Sequence, residues 1–339
     1  MTVAHRNIPI FIPHLGCPNL CVFCNQRSIS GRQGFCTESV RAEIDRSLAG
    51  NPDPNDTEIA FFGGSFTGIE RRLMIDLLEI AESYVRAGRV RSIRLSTRPD
   101  YINREILEIL SRYSVRVIEL GLQSMNNAVL AASQRGHTAE CAEAACRAVR
   151  EAGFSLIGQM MIGLPASTLK DELETARKIA ELGADAVRIY PTVVFYDTPL
   201  CQMTAMGDYT PLTLADAVER SAAVLRVFLE RGIPCIRLGL CASEALTSPE
   251  TVMAGPNHPA LGELVWSELW YEILKERIRE TDLLGRETVL RAPAREISRI
   301  VGHRRCNLER LERETGTRVC RVIGLQDCNE LLPIPAGNR

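Results

Sequence analysis

Across 339 residues, with 45% hydrophobic and 24% charged side chains and a formal net charge of −2, the chain has an ordinary globular make-up and room for a large core. No apolar run is long enough to span a bilayer and no basic-apolar leader follows Met1, so a cytoplasmic protein with no membrane partner is expected. Twelve cysteines spread over so long a chain exclude a small disulfide scaffold and predict mostly reduced thiols.

Short apolar runs alternate with longer stretches of helical period. IPIFI (8–12), TEIAFF (57–62), SIRLST (92–97), VRVIELGL (115–122), SLIGQMMIGL (155–164) and DAVRIYP (185–191) predict six strands. RRLMIDLLEIAESYVRAG, REILEILSRY, AECAEAACRAVREAG and KDELETARKIAELG lie between them, with apolar positions every three to four residues, and predict helices. Strands separated by helices imply βαβ crossovers and a parallel sheet. Because the strand runs are apolar almost throughout, both faces should be covered, as in a full or partial (β/α) barrel. The expected fold class is α/β, with residues 1–200 as the barrel.

Beyond Pro191 the alternation weakens. A long helix near 213–231, a strand-like IPCIRLGL and the loop MAGPNHPALGELV make residues 201–285 an extension and connector. Residues 286–321 hold ten arginines against five glutamates, which marks a boundary. That segment suits either a polyanion or solvent on a charged helix face. Residues 331–339 read as a loose tail.

Chemistry concentrates in GCPNLCVFCNQ (16–26), where Cys17, Cys21 and Cys24 follow the first strand. Dense thiols hold zinc or an iron–sulfur cluster. Zinc asks for a fourth ligand, for which His14 or Cys36 are candidates. A 4Fe-4S cluster on three cysteines leaves one iron open, which accounts for the absence of a fourth thiol. FFGGSFTG follows the second strand, STRPDYI the third and ELGLQS the fourth; RGHT comes shortly after, and MIGLP closes the fifth.

This ordered set resembles the radical S-adenosylmethionine (SAM) superfamily, and within it the radical SAM core of the Elongator catalytic subunit family, over roughly residues 5–200. Oxygen-independent coproporphyrinogen oxidases are more distantly similar. The resemblance implies a partial (β/α)6 TIM-like barrel, a 4Fe-4S cluster on Cys17, Cys21 and Cys24, and SAM bound near Phe23, Gly63, Gly64, Ser65, Ser96, Gln123, Arg135, Gly163 and Tyr190. Gln123 and Arg135 match a pair contacting the SAM ribose and carboxylate, the second task suiting a planar guanidinium. Two positions depart from the pattern: Ser96 stands where relatives often carry glutamate, and Ala166 where they carry glycine. Reductive cleavage of SAM to a 5′-deoxyadenosyl radical would be the reaction, fed by an electron donor such as ferredoxin or flavodoxin. His137 and His14 are candidates for acid–base work or for structural hydrogen bonds. Cys36, Cys141, Cys146, Cys201, Cys235, Cys241, Cys320 and Cys328 read as ordinary thiols.

TVLRAPAREISRIVGHRRCNLERLERETGTRV (288–319) reads as strand, helix, loop, helix, strand. Ile300, Val301, Gly302, Leu308, Leu311, Thr315, Gly316 and Val319 fall where KH domains place their apolar and glycine positions, so residues 286–330 are similar to a small KH-like α+β segment. That likeness implies nucleic-acid contact by Gly302, His303, Arg304 and Arg305, although Arg305 replaces the loop's last glycine. Cys306 lies in the same loop, and an amphipathic helical hairpin would give the same pattern. The expectation is a radical SAM enzyme modifying a base in transfer or ribosomal RNA. It is set beside radical chemistry on a small molecule such as a porphyrin precursor, with Arg237 and the loop around His258 binding an acid, and beside a non-catalytic zinc protein that binds RNA. No acetyltransferase motif is visible after residue 200, so the Elongator product is not carried over.

Overall fold

The computed structural model describes residues 6–12, 16–17, 21–25, 35–50, 52–240, 250–326 and 331–336; His14, Cys241 and Cys328 lie outside them. The described chain divides into two compact units, residues 1–213 with 227–259, and 214–226 with 260–339. Among the described residues no helix is long and apolar enough to cross a membrane.

In the first unit the strands are β1 (Arg6–Ile12), β2 (Thr57–Gly63), β3 (Ser92–Thr97), β4 (Val115–Gln123), β5 (Ser155–Ile162), β6 (Ala186–Pro191) and β8 (Cys235–Leu238), in that spatial order and all parallel. β7 (Val194–Phe195) pairs outside this sheet with β9 (Val252–Ala254). The sheet therefore has seven strands, the seventh drawn from the stretch expected to be a connector. β8, only four residues long, lies within the strand-like IPCIRLGL.

Helices fill the crossovers between the parallel strands. α1 (Thr37–Leu48) and α2 (Arg71–Arg86) come first; α2 starts where the Glu70 carboxylate accepts from Arg72 and Leu73 N–H and buries Met74, Leu77, Leu78 and Ala81 on one stripe. α3 (Arg104–Leu110), α4 (Asn127–Ala132), α5 (Ala139–Glu151) and α6 (Leu169–Glu181) follow, and α6 begins with a reciprocal capping box between Thr168 and Asp171. A side chain at Gly158 would meet Ile179 of α6 at 2.7 Å, so position 158 faces the helices and position 159 the opposite, concave face.

Strand alternation then puts Ile59, Phe61, Ile93, Leu95, Ile118, Leu120 and Met160 under the helices, all fully buried. The concave face is not the apolar surface the strand runs suggested. It carries Glu58, Arg94, Glu119 and Arg188, one charge per strand, paired with one another.

α7 (Pro199–Met206) completes the first unit, and α8 (Leu214–Leu229) divides between the two. The second unit adds α9 (Leu261–Arg279), β10 (Glu287–Pro293), α10 (Ile297–Val301), α11 (Cys306–Thr315), β11 (Arg318–Leu325) and β12 (Leu332–Pro335). β10 lies between parallel β11 and antiparallel β12. Tyr271, Leu274 and Ile278 of α9 pack with Leu290, Ile300, Leu308, Leu311 and Val319 into one core. The order β10–α10–loop–α11–β11 is the one expected from the sequence.

Candidate functional site

The thiol loop sits at the C-terminal end of the parallel sheet, where loops of such folds converge. Its entrance depends on a close approach. Gly16, at φ 68°, presses on the turn after β2 so tightly that a Cβ there would lie 2.2 Å from the Ser65 carbonyl oxygen. Further along, Val22 N–H donates to Ser133 O (3.2 Å), Leu200 N–H to Val22 O (2.9 Å) and Cys24 N–H to Cys21 O (3.0 Å). Val22 also packs with Val194, Leu200 and Tyr209, and Phe23 joins that apolar group.

Two arginines address the sulfurs. Arg135 donates from Nη1 to Cys21 Sγ (3.3 Å) and from Nη2 to Gly121 O (2.6 Å). Arg98 places Nη1 3.9 Å from Cys17 Sγ and 4.0 Å from Cys21 Sγ while two bonds to Asp100 (2.9 and 2.8 Å) fix its fork. Arg98 follows directly from the turn chemistry after β3: its N–H donates to Ser65 Oγ (3.1 Å), and Ser65, Thr97 and Thr67 share hydroxyl bonds of 2.7 Å. The sequence singled out the STRPDYI segment but not Arg98 itself.

Buried polar atoms without a partner mark the same corner. Among the described residues, Gln123 Oε1, Arg135 Nε and both ring nitrogens of His137 have no hydrogen-bond partner. Gln123 adopts φ 66° at the end of β4, a left-handed conformation that costs a non-glycine residue about 1–2 kcal/mol. Such cost and such orphaned atoms are expected where a ligand completes the network. Burial, reinforced by the Arg135 charge, pushes the His137 imidazole down to about 4, so it is neutral near pH 7.

Other expected residues are placed differently. The Ser65 hydroxyl is engaged within the protein. Gly163 N–H donates to Glu172 Oε1 (2.6 Å) and its carbonyl accepts from Tyr209 (2.6 Å), so its polar groups are also engaged internally. Gly63, at φ 107°, lies against β1, and Gly64 N–H donates to Ile12 O (2.9 Å). Ser96 Oγ accepts from Gln159 (3.3 Å) on the concave face, and Tyr190 stands there beside Arg188.

Among the described residues no three His, Cys, Asp or Glu side chains are gathered about one metal position, so Cys17, Cys21 and Cys24 are not drawn to a point. Cys36 instead donates to Glu38 Oε2 (2.8 Å) at the start of α1. The ten described cysteines form no disulfide. Burial pushes Cys146 up to about 12 and Cys235 up to about 11, as for inert core thiols. The donor set beside the two guanidinium groups is nevertheless what an iron–sulfur cluster takes: soft sulfur only, with positive charge at hand to balance it. The unpartnered atoms of Gln123 and Arg135 fit SAM, a ligand that brings carboxylate, amino and ribose hydroxyl groups.

Residues 11–179 match the Radical SAM superfamily, and residues 184–271 match the Radical_SAM C-terminal domain. The chain belongs to the radical SAM superfamily. A relative over most of this radical SAM protein's length is an uncharacterized protein of Methanocaldococcus jannaschii, 27% identical over 80% of this chain and 84% of its own. The tRNA uridine(34) acetyltransferase of the same organism is 30% identical over 37% of this chain, which spans only 24% of that enzyme. Among solved structures, Elp3 of the archaeon Methanocaldococcus infernus superposes with TM-score 0.63 at 21% identity, over 85% of this chain and 66% of that one, a likeness of fold.

In the second unit, the loop after α10 has an unusual backbone. Gly302 (φ 76°) is buried where a Cβ would meet Cys306 Sγ at 2.6 Å, and Arg304 (φ 50°) and Arg305 (φ 68°) are both left-handed. His303, Arg304 and Arg305 are exposed, and among the described residues no carboxylate pairs with either arginine. Asn307 pins the loop from below, donating to Ser267 O, Arg299 O and Ile300 O at 3.0–3.2 Å.

Proposed function

We propose that this radical SAM protein modifies a base in RNA, transfer or ribosomal, in the cytoplasm, using a 4Fe-4S cluster and SAM. The observation that carries the cofactor reading is the buried, unpartnered Gln123 Oε1 and Arg135 Nε beside a Cys21 sulfur that Arg135 already contacts. The RNA reading is supported by the similarity to a tRNA uridine(34) acetyltransferase. When bound, the cluster and SAM together supply one-electron cleavage of a sulfonium and removal of a hydrogen atom from the substrate.

The chain's own residues do the rest. Cys17, Cys21 and Cys24 hold the cluster, and Arg98 and Arg135 offset its negative charge. Arg135 and Gln123 orient SAM, with Gly63 and Gly64 allowing close backbone approach and Phe23, Ser65, Ser96, Gly163 and Tyr190 bordering it. The apolar group of Val22, Val194 and Leu200 keeps water from the thiol loop. In this layout residues 1–200 are the radical core, 201–285 its extension and 286–330 a KH-like arm whose Gly302, His303, Arg304 and Arg305 hold the RNA backbone, ahead of the tail 331–339. A ferredoxin or flavodoxin delivers the electron.

Anaerobic reconstitution followed by SAM, reductant and total cellular RNA, with mass spectrometry of nucleosides and of deoxyadenosine, tests this. The expected result is deoxyadenosine formed in proportion to added RNA together with one altered nucleoside. Deoxyadenosine formed at the same rate without RNA would shift the substrate to a small molecule, and a tetrahedral zinc content in place of iron and sulfide would end the reading.

A further inference from the structure

The concave face of the sheet carries charge that the cofactor residues do not use. Glu58 on β2 accepts from Arg94 Nε on β3 (3.1 Å). Arg94 Nη1 also reaches Glu119 Oε1 on β4 (3.0 Å), and Glu119 accepts from Arg188 Nη2 on β6 (3.0 Å) while its other oxygen lies 2.8 Å from Arg188 Nε in the same ion pair. Gln159 Nε2 donates to the same carboxylate at 3.0 Å. Along this row the two carboxylates and the two guanidinium groups match in number, Glu58 also accepting from half-exposed Arg91 (3.1 Å), and each is held by more than one bond.

Arg237 upsets that balance. It stands in register with Arg188 on the neighbouring strand β8, which directs both side chains to the same face, and among the described residues no carboxylate forms an ion pair with it. Arg188 keeps Nη1 for the Tyr190 hydroxyl, 3.4 Å away, and its guanidinium lies over the Phe62 ring at 5.3 Å. Burial pushes the Tyr190 hydroxyl upward in pKa, and the Arg188 and Arg237 charges oppose it. The result is one fixed guanidinium, one without an ion-pair partner among the described residues and a phenol, over an aromatic floor, with Tyr190 and Arg237 each one residue inside its strand end.

We infer that Arg188, Arg237 and Tyr190 form an anion site on the concave face of the barrel sheet that holds the carboxylate or phosphate of a small acidic substrate or co-substrate. Glu119 orders Arg188 beforehand, so little side-chain freedom is lost on binding. Arg237 supplies the net charge that an anion requires. The planar forks of two arginines suit the trigonal carboxylate and the tetrahedral phosphate alike. A polynucleotide phosphate would have to bring its neighbours inside the strand ends with it, whereas a small acid enters alone. This inference goes beyond the RNA reading, and failure to modify RNA would leave it standing.

The test uses the full chain, reconstituted anaerobically, with inorganic phosphate and malonate as probes titrated calorimetrically in a phosphate-free buffer. One saturable site for either anion is expected, with affinity reduced tenfold or more in Arg237→Ala, largely retained in Arg237→Lys and reduced severalfold in Tyr190→Phe. A short RNA oligonucleotide should not displace the anion. Thermal unfolding in buffer alone checks that the variants are folded; should Arg237→Ala not be, Arg237→Gln takes its place. Absence of saturable binding, equal affinity in the neutral Arg237 variant, or displacement by the oligonucleotide overturns the proposal.

Discussion

Arg135 bonds Cys21 Sγ at 3.3 Å and the Gly121 carbonyl at 2.6 Å, so one buried guanidinium ties the thiol loop to the end of β4. Arg98 approaches the same thiols from the turn after β3, clamped by Asp100. Positive charge and N–H donors at ligand sulfurs favour the more negative, reduced form of a cluster. Arg98→Gln is therefore expected to lower the midpoint potential of the reconstituted cluster by roughly 30–60 mV, about half to one tenfold step for a one-electron couple. Spectroelectrochemical titration checks this, and an unchanged midpoint would leave Arg98 with a role in the fold alone.

Glu119 is fully buried and accepts from Arg94, Arg188 and Gln159. Removing its charge leaves two buried arginines short of a counter-ion, a change that costs about 3–5 kcal/mol in comparable buried pairs. Glu119→Gln should lower the urea midpoint accordingly. Because the residues share one network, Glu119→Gln combined with Arg188→Gln should cost less than the sum of the two single changes.

The strands were legible because their outward faces are runs of Ile, Leu, Val and Phe that only a covered sheet explains. The charges on the other face were equally visible at Glu58, Arg94, Glu119 and Arg188, yet each stands alone in its strand. Only the register between strands decides which meets which. Cys17, Cys21 and Cys24 could be singled out by spacing, and Gln123 and Arg135 by resemblance to relatives, because each motif is local. Arg98 could not, since its approach to the sulfurs depends on the Asp100 clamp and on the Ser65–Thr97 hydroxyl bond between two different strand ends. β8 was legible as the strand-like IPCIRLGL, but its membership of the main sheet was not, because which strand it pairs with is decided by register and not by local pattern.

His137 is buried, its ring nitrogens have no hydrogen-bond partner among the described residues, and its pKa is pushed down to about 4, from an ordinary value of 6.5. Between those two values the unfolded chain binds the proton and the folded chain does not. Stability therefore falls as pH drops from 6.5 toward 4, by roughly 3 kcal/mol at most for this group, and is fully present above 6.5. In urea unfolding at pH 7 and pH 5, His137→Gln should lose less stability between the two pH values than the parent. Equal losses would show that other groups carry the acid sensitivity.

Ala166 sits exposed at φ 62°, a backbone conformation that favours glycine. The left-handed conformation costs alanine about 1–2 kcal/mol, against roughly 0.4–1 kcal/mol of extra chain entropy that glycine brings to the unfolded state. Ala166→Gly should thus stabilise the protein slightly, by about 0.5–1 kcal/mol in urea unfolding. A loss of stability would mean that the surrounding turn compensates the alanine fully.

Arg304 and Arg305 hold left-handed backbone on an exposed loop, and among the described residues no carboxylate neutralises them. If they grip phosphates, each contact releases counterions, and the logarithm of affinity falls with the logarithm of salt by about 0.7 per contact on single-stranded RNA. Arg304→Glu with Arg305→Glu should then weaken RNA binding tenfold or more near physiological salt and flatten the salt dependence by about 1–2 in slope. Both charges lie outside the core formed by Ile300, Leu308 and Leu311, so unfolding of the second unit should be unchanged. Unaltered affinity and slope would remove the loop from the RNA-binding surface, and the tail's arginines would then serve its own ion pairs, as Arg310 does with Glu268 and Glu314.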